Sequence, residues 1–472
     1  MWPSLTKNTQ LPPLNAMLRN NRPFGALNLT STITRLHLDN GLLVLLKEIH
    51  TAPIISQWIW YKVGSRDEVP GKTGISHWTE HMQFKGTERF PAGVLDRAIA
   101  RMGGSWNAST YLDWTTYYEV LPAEKIDLAL ELEADRMINS LFTEKDVESE
   151  RTVIISERQG SENEPLFRLG EEVQAAAFRV HSYHHDVVGD MADLLTINRQ
   201  DLYDHYRRYY HPGNAVLTLA GDFETGPMLE RIKSLFGAIP AGSPPLRLQR
   251  PEPDQPGERI VKVEGPGETT YLEIVYRTPQ TNHPDFLPFT VLDSLLTGAS
   301  SINMFGGGIS NKTSRLYRAL VEGELAVGMS GGLPATIDPY LYNISVTLRP
   351  DIHAAQVLES VETEIRRLQE APPPDDEVLR AVKQARALFA YGSESITNQA
   401  CWLGFAEMYA EYDWFTNYLE NLTKVTAEDI QRVAQKYLQS KQRVVGEYIP
   451  TGSESDEEIM DEGEEDFMES EE

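Results

Sequence analysis

Ile197-Asn198-Arg199-Gln200-Asp201-Leu202 opens a helical pattern that reaches Tyr209 and Tyr210, and a strand-like run follows from Ala215 to Ala220. The same order returns much later. Val425-Thr426-Ala427-Glu428-Asp429-Ile430 leads to Tyr437, and a strand-like run follows from Arg443 to Tyr448. Asn198 and Thr426 are both residue types that cap helix N-termini, and each is followed three positions later by an aspartate. The two stretches lie about half a chain length apart. A period that long indicates duplicated domains rather than a solenoid of short repeats.

Between the echoes, Ile239 to Glu258 carries Pro240, Gly242, Pro244, Pro245, Pro251, Pro253, Pro256 and Gly257. This composition reads as a linker over 239–258. It divides the chain into a first domain, 36–238, and a second, 259–450. Residues 1–35 are left as an N-terminal extension and 451–472 as a tail. Strand patterns at Leu43 to Glu48, Ile54 to Val63 and Thr269 to Tyr276 come with long helical patterns in both halves, which indicates an α+β fold. A length of 472 residues accommodates two domains of ordinary size.

One segment has no echo. His77-Trp78-Thr79-Glu80-His81 places two imidazoles and a carboxylate within one helical turn. Residues at i, i+3 and i+4 share a helix face, so His77 and His81 can aim two nitrogens at one metal ion, with Glu80 beside them. The order H-x-x-E-H is the reverse of the H-E-x-x-H metal helix and matches the inverzincin signature. With 11 His in the chain, chance alone yields such a pattern in roughly a few per cent of chains this size. Context therefore matters. Thr73-Gly74 can start the helix and Gly86 can end it. Ile75, Trp78, Met82 and Phe84 supply apolar anchors.

A metal site needs a third protein ligand and an open position. The segment Thr143 to Arg158 reads as a helix with Thr143 as its N-cap and Asp146 in the first turn. Val147, Glu150, Val153, Ile154 and Glu157 recur along it at helical spacing. Two carboxylates in an apolar stripe are costly unless paired or metal-bound. The alternative is a half-buried face whose glutamates are solvated.

Three stretches together resemble the pitrilysin/insulinase metallopeptidases, above all the processing-peptidase-like group and its H-x-x-E-H-bearing subunit. They are Gly74 to Thr87, Gly103 to Thr110 with Asp113, Thr115 and Tyr117, and Glu150 to Glu157. The resemblance runs from about Leu36 to Pro450. It implies two homologous domains, each a mostly antiparallel sheet packed with helices, with the metal motif in the first. It implies one Zn²⁺ per chain on His77, His81 and Glu157, with Glu80 as general base and Glu150 as a supporting acid. It places Asn107 and Ala108 against the backbone of an extended substrate. The implied activity is zinc-dependent endopeptidase hydrolysis of peptides or unfolded proteins. The family's usual Phe-Leu inside the motif is Trp78-Thr79 here, at positions that are not ligands.

A second departure bears on catalysis. Many family members carry an Arg and a Tyr in a stretch resembling Leu-Arg-Glu-Lys-x-Gly-Leu-Ala-Tyr. The matching residues run from Leu320 to Val327, with Val321 at the Arg position and Val327 at the Tyr position. Neither valine can donate a hydrogen bond to a developing oxyanion, and losing one such donor costs about 10²–10³ in rate. The expectation is a heterodimer in which a related subunit supplies the pair, with a homodimer as the alternative. Upstream, Gly306-Gly307-Gly308 lies in a long loop, read as a substrate-handling loop or an ordinary turn. A non-catalytic scaffold or peptide-binding subunit is the rival reading. Such proteins usually lose their metal residues, and this chain keeps them.

Composition narrows the classes. The net charge of −27 argues against nucleic-acid binding. Glu454 to Glu472 contributes 12 acidic residues and no Lys or Arg, which reads as a solvated, disordered tail. A single cysteine, Cys401, excludes an intrachain disulfide framework. No apolar run reaches the length of a membrane span. The first 38 residues hold no Asp or Glu, but Pro3, Pro12, Pro13 and Pro23 break any continuous helix there. The expected location is the cytoplasm, with an organelle matrix after removal of an N-terminal segment as the alternative. His181, His184 and His185 form another cluster, read as a structural loop before a second metal site.

Overall fold

The computed structural model describes residues 33–245, 247, 250–301 and 310–452. The glycine run 306–308, the acidic tail beyond 452 and the first 32 residues of the extension lie outside the described residues.

In the first half the strands are β1 (Ile33–His37), β2 (Leu43–Glu48), β3 (Ile54–Tyr61), β4 (Ser105–Thr110), β5 (Thr115–Pro122) and β6 (Ala215–Gly221). The second half has β7 (Arg259–Gly265), β8 (Tyr271–Thr278), β9 (Ala326–Gly332), β10 (Tyr340–Leu348) and β11 (Arg443–Pro450). The six-stranded sheet runs β1-β2-β6-β3-β5-β4 and the five-stranded sheet β7-β11-β8-β10-β9. With β1 set aside, the two orders coincide strand for strand. The directions coincide too. Each sheet holds one parallel pair, β2 with β6 and β7 with β11, and its other pairs are antiparallel. The fold is α+β and duplicated, as the sequence echo indicates.

Among the described residues, strand β1 has no counterpart in the second sheet. The sequence puts Ile33 to Arg35 in the extension, yet they pair in register with Lys47 to Leu45. Arg35 is also gripped by Glu407 of the second half, Nε to Oε1 at 2.9 Å. A five-residue edge strand with a polar outer side carries too little apolar alternation to be seen without that partner.

The helices that carry the site and join the halves are α1 (Ile75–Met82), α2 (Asp127–Asn139), α3 (Glu144–Glu162), α4 (Pro165–Ala177), α5 (Arg199–Tyr209), α6 (Phe286–Leu296), α7 (Ala354–Glu370), α8 (Ile396–Tyr409) and α9 (Ala427–Tyr437). The repeated helices α5 and α9 both open on capping boxes, Asn198 with Asp201 and Thr426 with Asp429.

The central strands of each sheet are buried on both faces, and each half lends a helix to the other. Val44, Leu46, Ile59 and Leu217 face the first half's own helices through Trp78, Met137, Val147 and Tyr206. The alternate residues Leu45, Trp58, Trp60 and Val216 face the second half instead, where α8 lies across them. Contact there is close. A Cβ on Gly404 would sit 2.0 Å from the Trp60 indole nitrogen, so only glycine fits. Reciprocally, Leu169, Val173 and Ala177 of α4 cover Val275, Val444 and Tyr448 of the second sheet. This explains why the central strands read as continuous apolar runs rather than alternating ones.

Candidate metal centre

The α1 helix starts without a side-chain cap of its own. Gly74 adopts a left-handed φ of 82° and packs against Gly189, where a Cβ would come within 2.5 Å of Gly74 backbone atoms. The orphan amides are met from elsewhere. Gly74 and Ser76 donate their backbone N–H to the two oxygens of Glu68, at 2.9 and 2.8 Å. Glu68 is in turn 2.9 Å from His185 Nε2. His181 Nε2 pairs with Asp338 at 3.1 Å, and His184 Nδ1 lies 3.1 Å from the His181 carbonyl oxygen. The three imidazoles thus take separate partners and do not converge, so the second metal site is not assembled. Among the described residues, the one group of three or more with metal-ligand geometry is elsewhere.

That group is His77, His81 and Glu157, whose donor atoms all lie within 4.8 Å of one another. The two rings stand 4.7 Å apart, and their Nε2 atoms face Glu157 Oε2 at 3.9 and 3.6 Å. Helix α3 brings Glu157 there. It begins at Thr143, whose hydroxyl accepts from the Asp146 N–H at 3.1 Å. The α1 helix is clamped to it through Trp78, which is fully buried beneath the Arg151 guanidinium at 4.8 Å. Arg151 also donates to the carbonyls of Leu194 and Ile197, fixing α3 against the chain before α5.

Electrostatics divides the roles. Burial, aided by the neighbouring His81, pushes the His77 imidazole down to about 3, so it stays neutral. Its Nδ1 is buried and has no hydrogen-bond partner among the described residues. His81 Nδ1 lies 2.9 Å from Glu150 Oε1, which leaves Nε2 for the cluster. Burial works to raise the Glu150 carboxyl, but His81 and an ion pair with Lys85 hold it below the usual carboxylate range. Glu80 is 8% exposed and accepts a hydrogen bond from the Thr110 hydroxyl at Oε2, 2.7 Å. Burial raises its carboxyl above the ordinary value, against that bond and His81. Two imidazole nitrogens and a carboxylate oxygen are a donor set suited to zinc, and a His77 held neutral keeps its Nε2 lone pair available to it.

The expected substrate contacts lie on β4, which among the described residues pairs with β5 and is the last strand of its sheet. Asn107 is exposed there, on a strand rather than in a turn, and its Oδ1 accepts the Ala108 N–H at 2.9 Å. The β4–β5 hairpin is held from both halves. Asp113 accepts from the Tyr183 hydroxyl and the Ile337 N–H, at 2.7 and 3.0 Å. Val321 is packed against the second core, and Val327 is 64% exposed on β9. Sequence reasoning missed Thr110, Lys85 and Glu68. Lys85 alone left a signal, four positions after His81. The others reach the site across folds of the chain.

Fold and donor set define a class: a duplicated α+β protein with an imidazole–imidazole–carboxylate centre in its first half. Residues 43–190 match the model of insulinase (peptidase family M16), and residues 196–385 match the peptidase M16 inactive domain. The zinc protease PqqE of Helicobacter pylori is 27% identical over 412 residues, covering 86% of this chain and 90% of that one. The mitochondrial-processing peptidase subunit beta of Lentinula edodes is 26% identical over 409 residues, 86% of this chain and 87% of its own. The crystal structure of a protease from Helicobacter pylori superposes with a TM-score of 0.82 at 27% identity, covering 89% of this chain and 100% of that one. The chain belongs to the M16, or insulinase, peptidase family.

Proposed function

We propose that this chain is a zinc-dependent endopeptidase subunit that cleaves peptides at the His77–His81–Glu157 cluster. The observation that carries the reading is the convergence of those donors beside a buried glutamate. His77, His81 and Glu157 would hold one zinc ion, which would supply Lewis-acid polarisation of a carbonyl and a water of lowered pKa. Glu150 orients His81 through Nδ1. Thr110 fixes one oxygen of Glu80, and the other accepts the proton of the attacking water and returns it to the leaving amine. An extended peptide adds to the outer side of β4 at Asn107 and Ala108, with main-chain bonds setting its direction.

No donor for the oxyanion stands at positions 321 and 327. A related subunit carrying the Arg/Tyr pair therefore completes the site in trans, with a second copy of this chain as the alternative. The relative from Lentinula edodes, by its name a subunit of a processing peptidase, supports a paired arrangement. The two valines also favour a second reading, peptide binding without turnover.

Zinc content and peptide cleavage, measured on the chain alone and with a related subunit, separate these readings. Stoichiometric zinc with cleavage only in the mixture supports the proposal. Full activity of the chain alone sinks the trans arrangement. Zinc without cleavage in either case favours the binding reading, and absence of zinc removes the metal assignment.

A further inference from the structure

The duplicated topology gives the metal centre a counterpart in the second half. In the first half the centre lies between α1, the first α-helix after β3, and α3, the second after β5. The corresponding pair is α6, the first α-helix after β8, and the helix Asp375–Tyr391, the second after β10. The two pairs meet at matching places. His81 of α1 meets Glu150 of α3, and Ser294 of α6 donates its hydroxyl to the Ala381 carbonyl at 3.0 Å. Ala381 stands as far into its helix as Glu150 does into α3, and Leu388 as far as Glu157. Apolar residues replace both carboxylates, so these positions offer a cation nothing.

The charge there is inverted. Beside Ser294 and Ala381 lies a cavity of about 30 Å³, lined by Arg315, Arg318 and Arg380 with Thr313, Glu377 and Gln384. Guanidinium groups stay charged at any pH the fold meets. Glu377 engages Arg315 at 2.9 Å and balances one of the three. Among the described residues, no hydrogen bond or ion pair engages the side chains of Arg318 and Arg380. Residues 302–309, outside the described set, hold no Asp or Glu. Two uncompensated cations around one small space repel each other, and an anion between them removes that cost. A hydroxyl is oriented towards the same task. Gln384 Nε2 donates to Thr313 Oγ1 at 2.9 Å, which leaves the Thr313 proton to be given to a ligand. A single water needs about 10–15 Å³, so the cavity admits a small polyatomic ion. Arg318 is exposed, so the ion enters from solvent. Guanidinium forks match the oxygens of phosphate in both spacing and charge.

We propose that Arg315, Arg318, Arg380 and the Thr313 hydroxyl form a binding site for inorganic phosphate, in the place that the first half gives to its metal. The bound anion ties the segment entering the helix Tyr317–Glu322 to the helix Asp375–Tyr391, and so stabilises the second half. The site stands whether or not the first half cleaves peptides.

The test is calorimetric titration of the full chain with inorganic phosphate, at an ionic strength fixed with sodium chloride. Binding should saturate with a dissociation constant on the order of 1 mM or tighter. The unfolding temperature should rise with phosphate concentration. Arg318→Gln combined with Arg380→Gln should weaken binding by about tenfold or more, which also separates this site from any phosphate held by a metal in the first half. Thr313→Val, at an exposed position that leaves the fold alone, should weaken it by a smaller factor. Absence of saturable binding, an equal effect of chloride at the same ionic strength, or binding unchanged by the paired arginine substitutions overturns the site. Phosphate binding seen only after the acidic residues of 454–472 are replaced by Asn and Gln overturns the assignment too, because the arginines would then belong to the chain's own carboxylates.

Discussion

Glu80 and Glu150 both lie within reach of His81, and their surroundings assign them different work. Glu80 is boxed in by burial and one hydroxyl, so its proton affinity is high for a carboxylate. Glu150 is held ionised between His81 and Lys85. Replacing Glu80 by Gln should cut hydrolysis by about 10²–10⁴-fold with zinc content unchanged, read by elemental analysis beside a peptide assay. Replacing Glu150 by Gln should weaken zinc binding by about 10–100-fold, read by chelator competition. Retained activity in the first variant would remove the base assignment, and unchanged zinc affinity in the second would remove the orienting role. His77, Glu80 and His81 are legible in sequence because one helical turn brings them together. Glu157 needed the resemblance, because only the packing of α3 on α1 carries it there. Thr110 and Glu68 left no local trace, since each touches the site across a change of element.

Capping chemistry is the most transparent link between sequence and element. Thr143, Asn198 and Thr426 each sit at the N-cap that their residue type and spacing indicate. Tertiary charge is less transparent. Asp285, at the start of α6, accepts from Arg432, Lys436 and Tyr437 of α9 at 2.5, 2.8 and 2.7 Å. Burial alone would raise its carboxyl, but these three partners outweigh it and hold it well below the usual carboxylate range. A depressed acid stabilises the fold above its unfolded value, about 3.9, and that contribution fades as pH falls towards the folded value. Asp285→Asn should therefore lower stability at pH 7 by on the order of 1–2 kcal/mol, since two of the partners are half exposed and screened. In urea unfolding the difference from the parent should narrow steadily below pH 4. A gap that stays constant down to pH 2 would show that the ion pair is not its source.

At the scale of the whole molecule, the duplication is readable and the exchange of helices is not. Nothing local in Ile396–Tyr409 or Pro165–Ala177 says which sheet it will cover, because both surfaces are apolar. The proline-rich segment reads as a loose tether, yet Glu252 accepts three successive N–H groups from Arg179, Val180 and His181, at 2.9, 2.7 and 3.0 Å. Arg247 reaches back to Asp67 at 2.8 Å. The halves are held by the crossed helices more than by the covalent link. Proteolytic nicking between 239 and 258 should leave one particle on size-exclusion chromatography, resolved into two fragments only in denaturant. Separation in plain buffer would contradict the interlock.

The crossed α8 helix also has a consequence in time. The first sheet is complete in sequence at Gly221, but the cover for Trp58 and Trp60 ends at Tyr409. During synthesis roughly 190 further residues must emerge, which at about 5–20 residues per second takes on the order of 10–40 s. For that interval the nascent chain carries an aromatic surface without its lid. That surface is out of water in the finished fold, so the hazard of aggregation it poses belongs to synthesis.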